Sequence, residues 1–267
     1  MHFINKDSFP ESPIALLAKL NIEHRPDWKL YNQARLSKEK PLPKKPVAAW
    51  LNEGIRLPLK KLFLKNCGYC GIHSDTGHDA EVDHHFPISK DVEGDFIFDW
   101  DNYVWSCHSC NSMKRSKYPL LNPCSANEMS NLFFHSTDGR YLCDSLAPKE
   151  LKIKLQFTIQ HTNINGKNRP ARRRLIYRNL NENHLSGLKI AYDLYLVECD
   201  ANGPYSEEAL TKLNYFEEKK DRLLELIKSG DYLHLIKHTI NTFLKETYKN
   251  LPFTFDQLLE ESKYLDE

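Results

Sequence analysis

Apolar residues recur three and four positions apart over residues 13–20 and 28–36, and this spacing predicts helix in both stretches. A further pattern, Ala49, Leu51, Ile55, Leu59, Leu62 and Phe63, predicts a second helical stretch over 47–65, broken near Pro58. Alternation then replaces helical spacing. Residues 81–86 read as a short strand that Pro87 ends, and 101–106 read as a second β run. The polar stretch 107–115 lacks Gly and Pro and suits a short helix, so the local order is strand, strand, helix. Further on, 132–134 is an apolar patch, 141–143 a strand candidate, and 151–159 alternates strictly, which predicts a half-buried strand with its lysines outward. The last third reads as helices over 185–197, 207–229, 232–248 and 255–265, with Gly203-Pro204 and Gly230 as breaks. The expected fold class is mainly α with a small α+β core. Four regions are expected: 1–66 helical, 67–118 carrying the strands and short helix, 119–181 a connector with a basic segment, and 182–267 helical.

Two cysteine pairs bracket the strand-strand-helix stretch: Cys67-Gly-Tyr-Cys70 and Cys107-His-Ser-Cys110. Two intervening residues let a pair of thiolates bite one tetrahedral Zn²⁺ from a tight turn. A disulfide or a redox Cys-x-x-Cys would use the same residues. The chain opens on Met1-His2-Phe3-Ile4-Asn5-Lys6 with no secretory signal, which predicts a cytoplasmic protein with reduced thiols and favours structural zinc. Cys124, Cys143 and Cys199 lack close cysteine partners and read as small core residues.

Between the pairs stand Asp83, His84 and His85. A carboxylate and a side-chain amide are hard oxygen ligands for Mg²⁺ or Mn²⁺, so Asp83 and Asn111 are candidates to hold one ion against a phosphate. An imidazole that titrates near neutrality suits a general base, the role given to His84. His73 and His78, beside Ser, Thr and Gly, read as ordinary loop polar groups.

Formal net charge is +1, so attraction of nucleic acid must be local. Candidate contacts are Lys114, Arg115 and Lys117 after Asn111, and Lys167, Arg169, Arg172, Arg173 and Arg174, in a stretch with no acidic residue from 161 to 180. A solvated helix face is the plain alternative, and the proline-punctuated basic segment 37–46 reads as a connector. No apolar run is long enough to cross a bilayer.

The set Asp83-His84, Asn102 and Asn111 laced by four cysteines resembles the HNH endonuclease family, whose ββα-metal motif has an Asp-His pair, a central Asn and a helix-borne Asn or His. The resemblance covers about a fifth of the chain. It implies a ββα-metal module pinned by a four-cysteine zinc site, a catalytic Mg²⁺ or Mn²⁺ on Asp83 and Asn111, and Asn102 as the residue that steadies the loop and orients the base. His85 departs from the common pattern. It leaves open a register like that of nuclease colicins, with His84 as ligand and His85 as base. The blocks 100–107, 118–123 and 163–174 are similar to PtuB-type HNH proteins of Septu and retron-associated phage defence. That likeness implies a DNA-cutting effector with a PtuA-type ATPase partner, and it admits a retron reverse transcriptase–msDNA complex. It fits a chain without a phosphate-binding Gly-Lys-Ser/Thr loop. Two other readings stay open: a nuclease acting on tRNA or other RNA, and a zinc-stabilised binding subunit with an inactive centre. The helical tail, ending in Asp256, Glu260, Glu261, Asp266 and Glu267, suits a docking surface for a partner protein.

Overall fold

The computed structural model describes residues 3–7, 9–75, 79–134, 138–166, 168–230, 232–248 and 251–262. His78, Lys167, Asp266 and Glu267, singled out above, lie outside the described residues, as do the side chains of Phe133 and Phe134. The chain divides into two compact units, Met1–His135 with Arg140–Arg169, and Ser136–Gly139 with Pro170–Glu267. Mostly helical with two small two-stranded sheets among the described residues, it has the expected fold class.

In the first unit, α1 (Ile14–Leu36) runs unbroken through both N-terminal apolar stretches, with Pro26 inside it. Leu17, Leu20 and Trp28 are buried. α2 (Glu53–Leu62) starts at Asn52, whose side chain accepts from the Gly54 amide at 2.8 Å. The expected break near Pro58 does not occur: the helix continues through it to Leu62. A proline there forfeits one backbone bond, while burial of Ile55, Leu59 and Phe63 on one flank holds the helix together.

β1 (Ala80–His84) pairs antiparallel with β2 (Tyr103–Cys107), from Ala80↔Cys107 to His84↔Tyr103, and α3 (His108–Lys114) follows directly. Residues two apart on β1 share a face, which puts Glu81 and Asp83 towards α3 and turns His84 the other way, onto Trp50 and Tyr103. α4 (Ala126–Met129) and the short pair β3 (Leu132–Phe134) and β4 (Tyr141–Cys143) come next.

Residues 151–159 are not a strand. They form α5 (Lys149–His161), which buries Leu151, Leu155 and Thr158 and leaves Ile153 52 % exposed. The segment satisfied both periods, because Leu151, Leu155 and Thr158 also lie four and three apart. Lys, Leu and Gln propagate helix well, and Thr158 is fixed on α5 by donating its hydroxyl to Lys154 O at 2.7 Å and accepting from the Leu121 amide at 2.8 Å.

The second unit comprises helices: α6 (Arg169–Asn179), a π-helical turn at Leu180–Leu185, α7 (Ser186–Asn202), α8 (Glu207–Lys228), α9 (Leu233–Thr242) and α10 (Phe255–Glu261). Gly203 ends α7 at φ 87°, a left-handed conformation that side chains disfavour. Thr254 and Gln257 cap α10 reciprocally. Gly139 is fixed by space, since a Cβ there would lie 1.8 Å from Pro170 O. Its carbonyl accepts from Arg173 Nε at 2.9 Å. Arg173 corrects an expectation: it is fully buried, with its guanidinium over the Tyr232 ring at 6.0 Å, and therefore holds the fold rather than facing a nucleic-acid backbone. Arg172 and Arg174 are exposed on the same helix. Among the described residues, no helix is long and apolar enough to cross a membrane.

Candidate metal centre and nuclease site

The turn after α2 carries Cys67 and Cys70, Cys107 ends β2, and Cys110 lies on α3. The antiparallel register and the turn gather the four. All are buried, and their sulfurs lie within 4.8 Å of one another, with Cys70 Sγ and Cys107 Sγ 3.8 Å apart. A tetrahedron with Zn–S bonds of about 2.3 Å has edges of about 3.8 Å, so the cluster fits zinc. Burial, with the neighbouring Cys107, holds the Cys70 thiol well above its usual range, whereas Cys67, against burial, is held well below it by hydrogen bonds from its three partners; a bound cation would favour all four as thiolates. Gly68 lets the turn approach: a Cβ would fall 2.6 Å from Phe63 and 2.8 Å from Val104. Two donors from beyond α5 reach the sulfurs. The Asn163 amide donates to Cys110 Sγ at 3.4 Å, and Arg169 Nη1 to Cys70 Sγ at 2.7 Å. Arg169, a candidate phosphate contact by sequence, is thus placed against the cysteine cluster.

On the α3 side of β1, Asp83 is buried. Its Oδ2 accepts from the Tyr69 hydroxyl at 2.6 Å and its Oδ1 from Lys114 Nζ at 2.9 Å. Lys114 also donates to His84 O at 2.7 Å and is 1 % exposed. That corrects the expectation that Lys114 faces a flanking phosphate: a strand carboxylate and a helix ammonium instead pair inside the domain. Burial pushes the Asp83 carboxyl up, against the pull of Lys114 and Tyr69. Asn111 turns elsewhere, donating Nδ2 to Glu81 Oε2 at 2.6 Å. Asp83 and Asn111, expected to share one ion, bond to different partners here: Asp83 to Tyr69 and Lys114, and Asn111 to Glu81.

His84 lies on the opposite face, edge-on to Trp50 and Tyr103 with ring centroids 4.8 and 5.0 Å away. Its Nε2 donates to Ile97 O at 2.9 Å, since a carbonyl only accepts. The neutral ring therefore carries its lone pair on Nδ1. Burial lowers the His84 pKa to about 3. His85 likewise donates Nε2 to Leu120 O at 3.1 Å, and burial lowers it to about 4. Asn102 binds the loop after His85 from both sides: its Oδ1 accepts from the Phe86 amide at 2.6 Å, and its Nδ2 donates to Phe86 O at 3.1 Å and Phe96 O at 2.9 Å. Arg115 is exposed just past α3, with Nε donating to Ser112 O at 3.2 Å.

Sequence reasoning passed over Tyr69, Glu81 and His108. Glu81 donates nothing but accepts twice, from His108 Nδ1 at 2.6 Å and from Asn111 at the other oxygen. The signals were present: Glu81 precedes Asp83 by two on a strand, and His108 precedes Asn111 by three on a helix, each spacing that of a shared face.

Residues 67–117 match the model of the HNH endonuclease family. They thus form an HNH endonuclease domain that carries a four-cysteine cluster able to hold zinc. Searches of curated proteins and of solved structures return no match.

Proposed function

We propose that this protein is a metal-dependent endonuclease that hydrolyses phosphodiester bonds in nucleic acid, DNA foremost, through its HNH domain. The observation that carries the reading is the fixed tautomer of His84 beside Asp83: Nε2 is tied to Ile97 O, leaving Nδ1 free of a proton to accept one from an attacking water. Burial keeps the ring unprotonated across the neutral range at the expense of basicity. The divalent ion that such nucleases use supplies neutralisation of charge at the phosphate. Asn102 holds the loop on which the base is aligned. The zinc cluster sets the strand-to-helix frame.

The test is cleavage of DNA and of total RNA by purified protein with Mg²⁺ or Mn²⁺. His84→Ala should abolish cutting while zinc content is kept, whereas His85→Ala stays active. Loss in His85→Ala with rescue of His84→Ala by metal would instead assign the base to His85. Cutting confined to RNA would move the substrate to tRNA or another RNA. A second reading, a zinc-stabilised binding subunit, is favoured by one observation: the Lys114 ammonium already sits on Asp83. It predicts nucleic-acid or protein binding with no cleavage in any divalent metal.

The biological setting we propose is a cytoplasmic effector of phage defence of the PtuB type, working with a PtuA-type ATPase and, in a retron setting, with a reverse transcriptase–msDNA complex. The sequence likeness supports this, as does an exposed apolar stripe on α7 of Ile190, Leu194 and Val197, an unusual surface for a helix that faces only water. Co-purification with an ATPase of that type checks it. Failure to recover any ATPase removes the defence reading and leaves the nuclease reading intact.

A further inference from the structure

Three aromatic rings stand in a row beside the His84–His85 pair without joining the buried core. Phe86 follows His85 directly and meets Phe96 and Tyr118 with ring centroids 5.2 and 5.0 Å away, at interplanar angles of 61° and 84°. Tyr118 also meets the His85 ring, with centroids 5.7 Å apart. None of the three belongs to the core cluster that holds Trp50, Tyr103 and the four cysteines, and Phe96 is 44 % exposed. A lone exposed apolar side chain is ordinary, whereas contiguous apolar surface at one site marks contact with another molecule. We propose that Phe86, Phe96 and Tyr118 form a stacking platform for an unpaired nucleobase and, resting on the nuclease reading, that the HNH domain takes single-stranded or locally unpaired nucleic acid as its substrate class.

The chemistry of the row is that of base binding. Every base has a π-face that stacks on an aromatic side chain with little regard to sequence. In a duplex those faces are covered by neighbouring base pairs, so the platform selects a strand whose bases are open. The charged surroundings suit a polyanion. Arg115 and Lys117 are exposed on the chain leading into Tyr118, and Lys90 is exposed four residues after Phe86. The carboxylates nearest Phe96 in the chain are engaged: Asp95 pairs with Arg25, Glu93 pairs with Lys29 at 2.5 Å, and Asp91 accepts from the Asp95 and Phe96 amides at 3.0 and 2.8 Å. Cations that hold phosphate beside rings that hold bases are the combination single-strand sites use.

The platform is held by a residue the site already needs. The Asn102 side chain bonds Phe86 through both of its backbone groups and Phe96 through its carbonyl, which fixes the two residues relative to each other. Phe86 stands two residues after His84, so a strand whose base stacks here runs past the proposed general base.

The experiment measures binding of the full, zinc-loaded chain by fluorescence anisotropy, without added Mg²⁺ or Mn²⁺. The probes are a mixed-sequence single-stranded DNA, the RNA of the same sequence, the blunt DNA duplex, and an abasic strand that keeps the phosphates. A base-bearing single strand should bind more tightly than the duplex and the abasic strand, and the DNA and RNA arms show which strand the site prefers. Phe96→Ala should weaken that binding roughly 5- to 150-fold, the range carried by one stacked base, with its salt dependence unchanged. Arg115→Ala should instead lower the slope of log affinity against log salt by about 0.7, the step of one phosphate contact on a single strand. Phe96→Trp, which keeps a stacking face, should retain binding. The proposal is overturned if wild type binds no single strand, if the duplex or abasic strand binds as tightly as the base-bearing strand, or if Phe96→Ala binds like wild type while holding zinc. Loss in Phe96→Trp as full as in Phe96→Ala assigns Phe96 to packing and overturns it too. Cleavage assayed on the same samples separates the two claims. Binding that depends on Phe96 without cutting in Mg²⁺ or Mn²⁺ removes the nuclease reading alone, and equal cutting of duplex and single strand, untouched by Phe96→Ala, removes the platform alone.

Discussion

Lys114 sets its ammonium between the Asp83 carboxylate and the His84 carbonyl in a place solvent barely reaches. Truncating one member of such a pair strands the other charge, so Lys114→Ala should cost about 3–5 kcal/mol in urea denaturation. The double variant Asp83→Asn, Lys114→Met should recover most of that loss, because neither charge is then left unmatched. His84 and His85 give a pH signature. Their folded-state values, about 3 and about 4, lie below the ordinary 6.5 because burial disfavours the cation. Below pH 6.5 the unfolded chain takes up protons the fold refuses, so stability falls as pH drops from 6.5 towards 4 and is flat above about 7. Charged groups facing His85, namely Lys114, Glu128 and Lys154, modulate this second to burial. Melts of zinc-loaded protein should show the slope, and His85→Gln should make it shallower.

At the scale of elements, α5 offers a direct contrast with the strand that alternation suggests. In a strand, Ile153 and Leu155 would share a buried face. In the helix Leu155 is 5 % exposed and Ile153 52 %. Leu155→Ala should cost about 2–5 kcal/mol while Ile153→Ala stays within about 0.5 kcal/mol, which equilibrium denaturation resolves. The cysteine cluster gives the other prediction at this scale. Arg169 donates to a Cys70 sulfur, and a charge-assisted donor lowers the cost of gathering thiolate charge. Arg169→Ala should release zinc to a chelator about tenfold faster, a factor of the size outer-shell partners carry, and Arg169→Lys should restore part of it. These elements differ in how far sequence revealed them. The cysteine turns, β1, β2 and α3 are set by spacings of two to four residues, and such local rules were readable. The period of 151–159 was ambiguous because five apolar residues at alternate positions also contain a four-residue repeat. The Arg169 contact spans 99 residues, beyond the reach of any local pattern.

For the whole molecule, the same distinction of local from remote governs the site. The residue types of an HNH centre are visible along the chain, but which carboxylate meets which partner depends on how α3 lies across β1. That packing sends Asp83 to Lys114 and Glu81 to Asn111. The division of the chain at Arg169 has no marker in composition, since α6 runs through it without a break. Charge was equally silent: one arginine of the basic run is interior and another serves a sulfur.

The bond from Arg169 to Cys70 also sets where the chain can be cut. The family match ends at residue 117, yet Leu120, Leu121, Leu151, Leu155 and Ile164 belong to the same core as the cysteines, and a polar contact to a cluster sulfur comes from as far along as residue 169. A fragment trimmed to the recognisable motif would expose that core and lose the guanidinium from its metal cluster, and it should be insoluble or molten by near-ultraviolet circular dichroism. A fragment spanning 1–169 should keep one zinc and a cooperative melt. The compact unit that holds this domain is therefore far longer than its signature, with Arg169 as its closing residue.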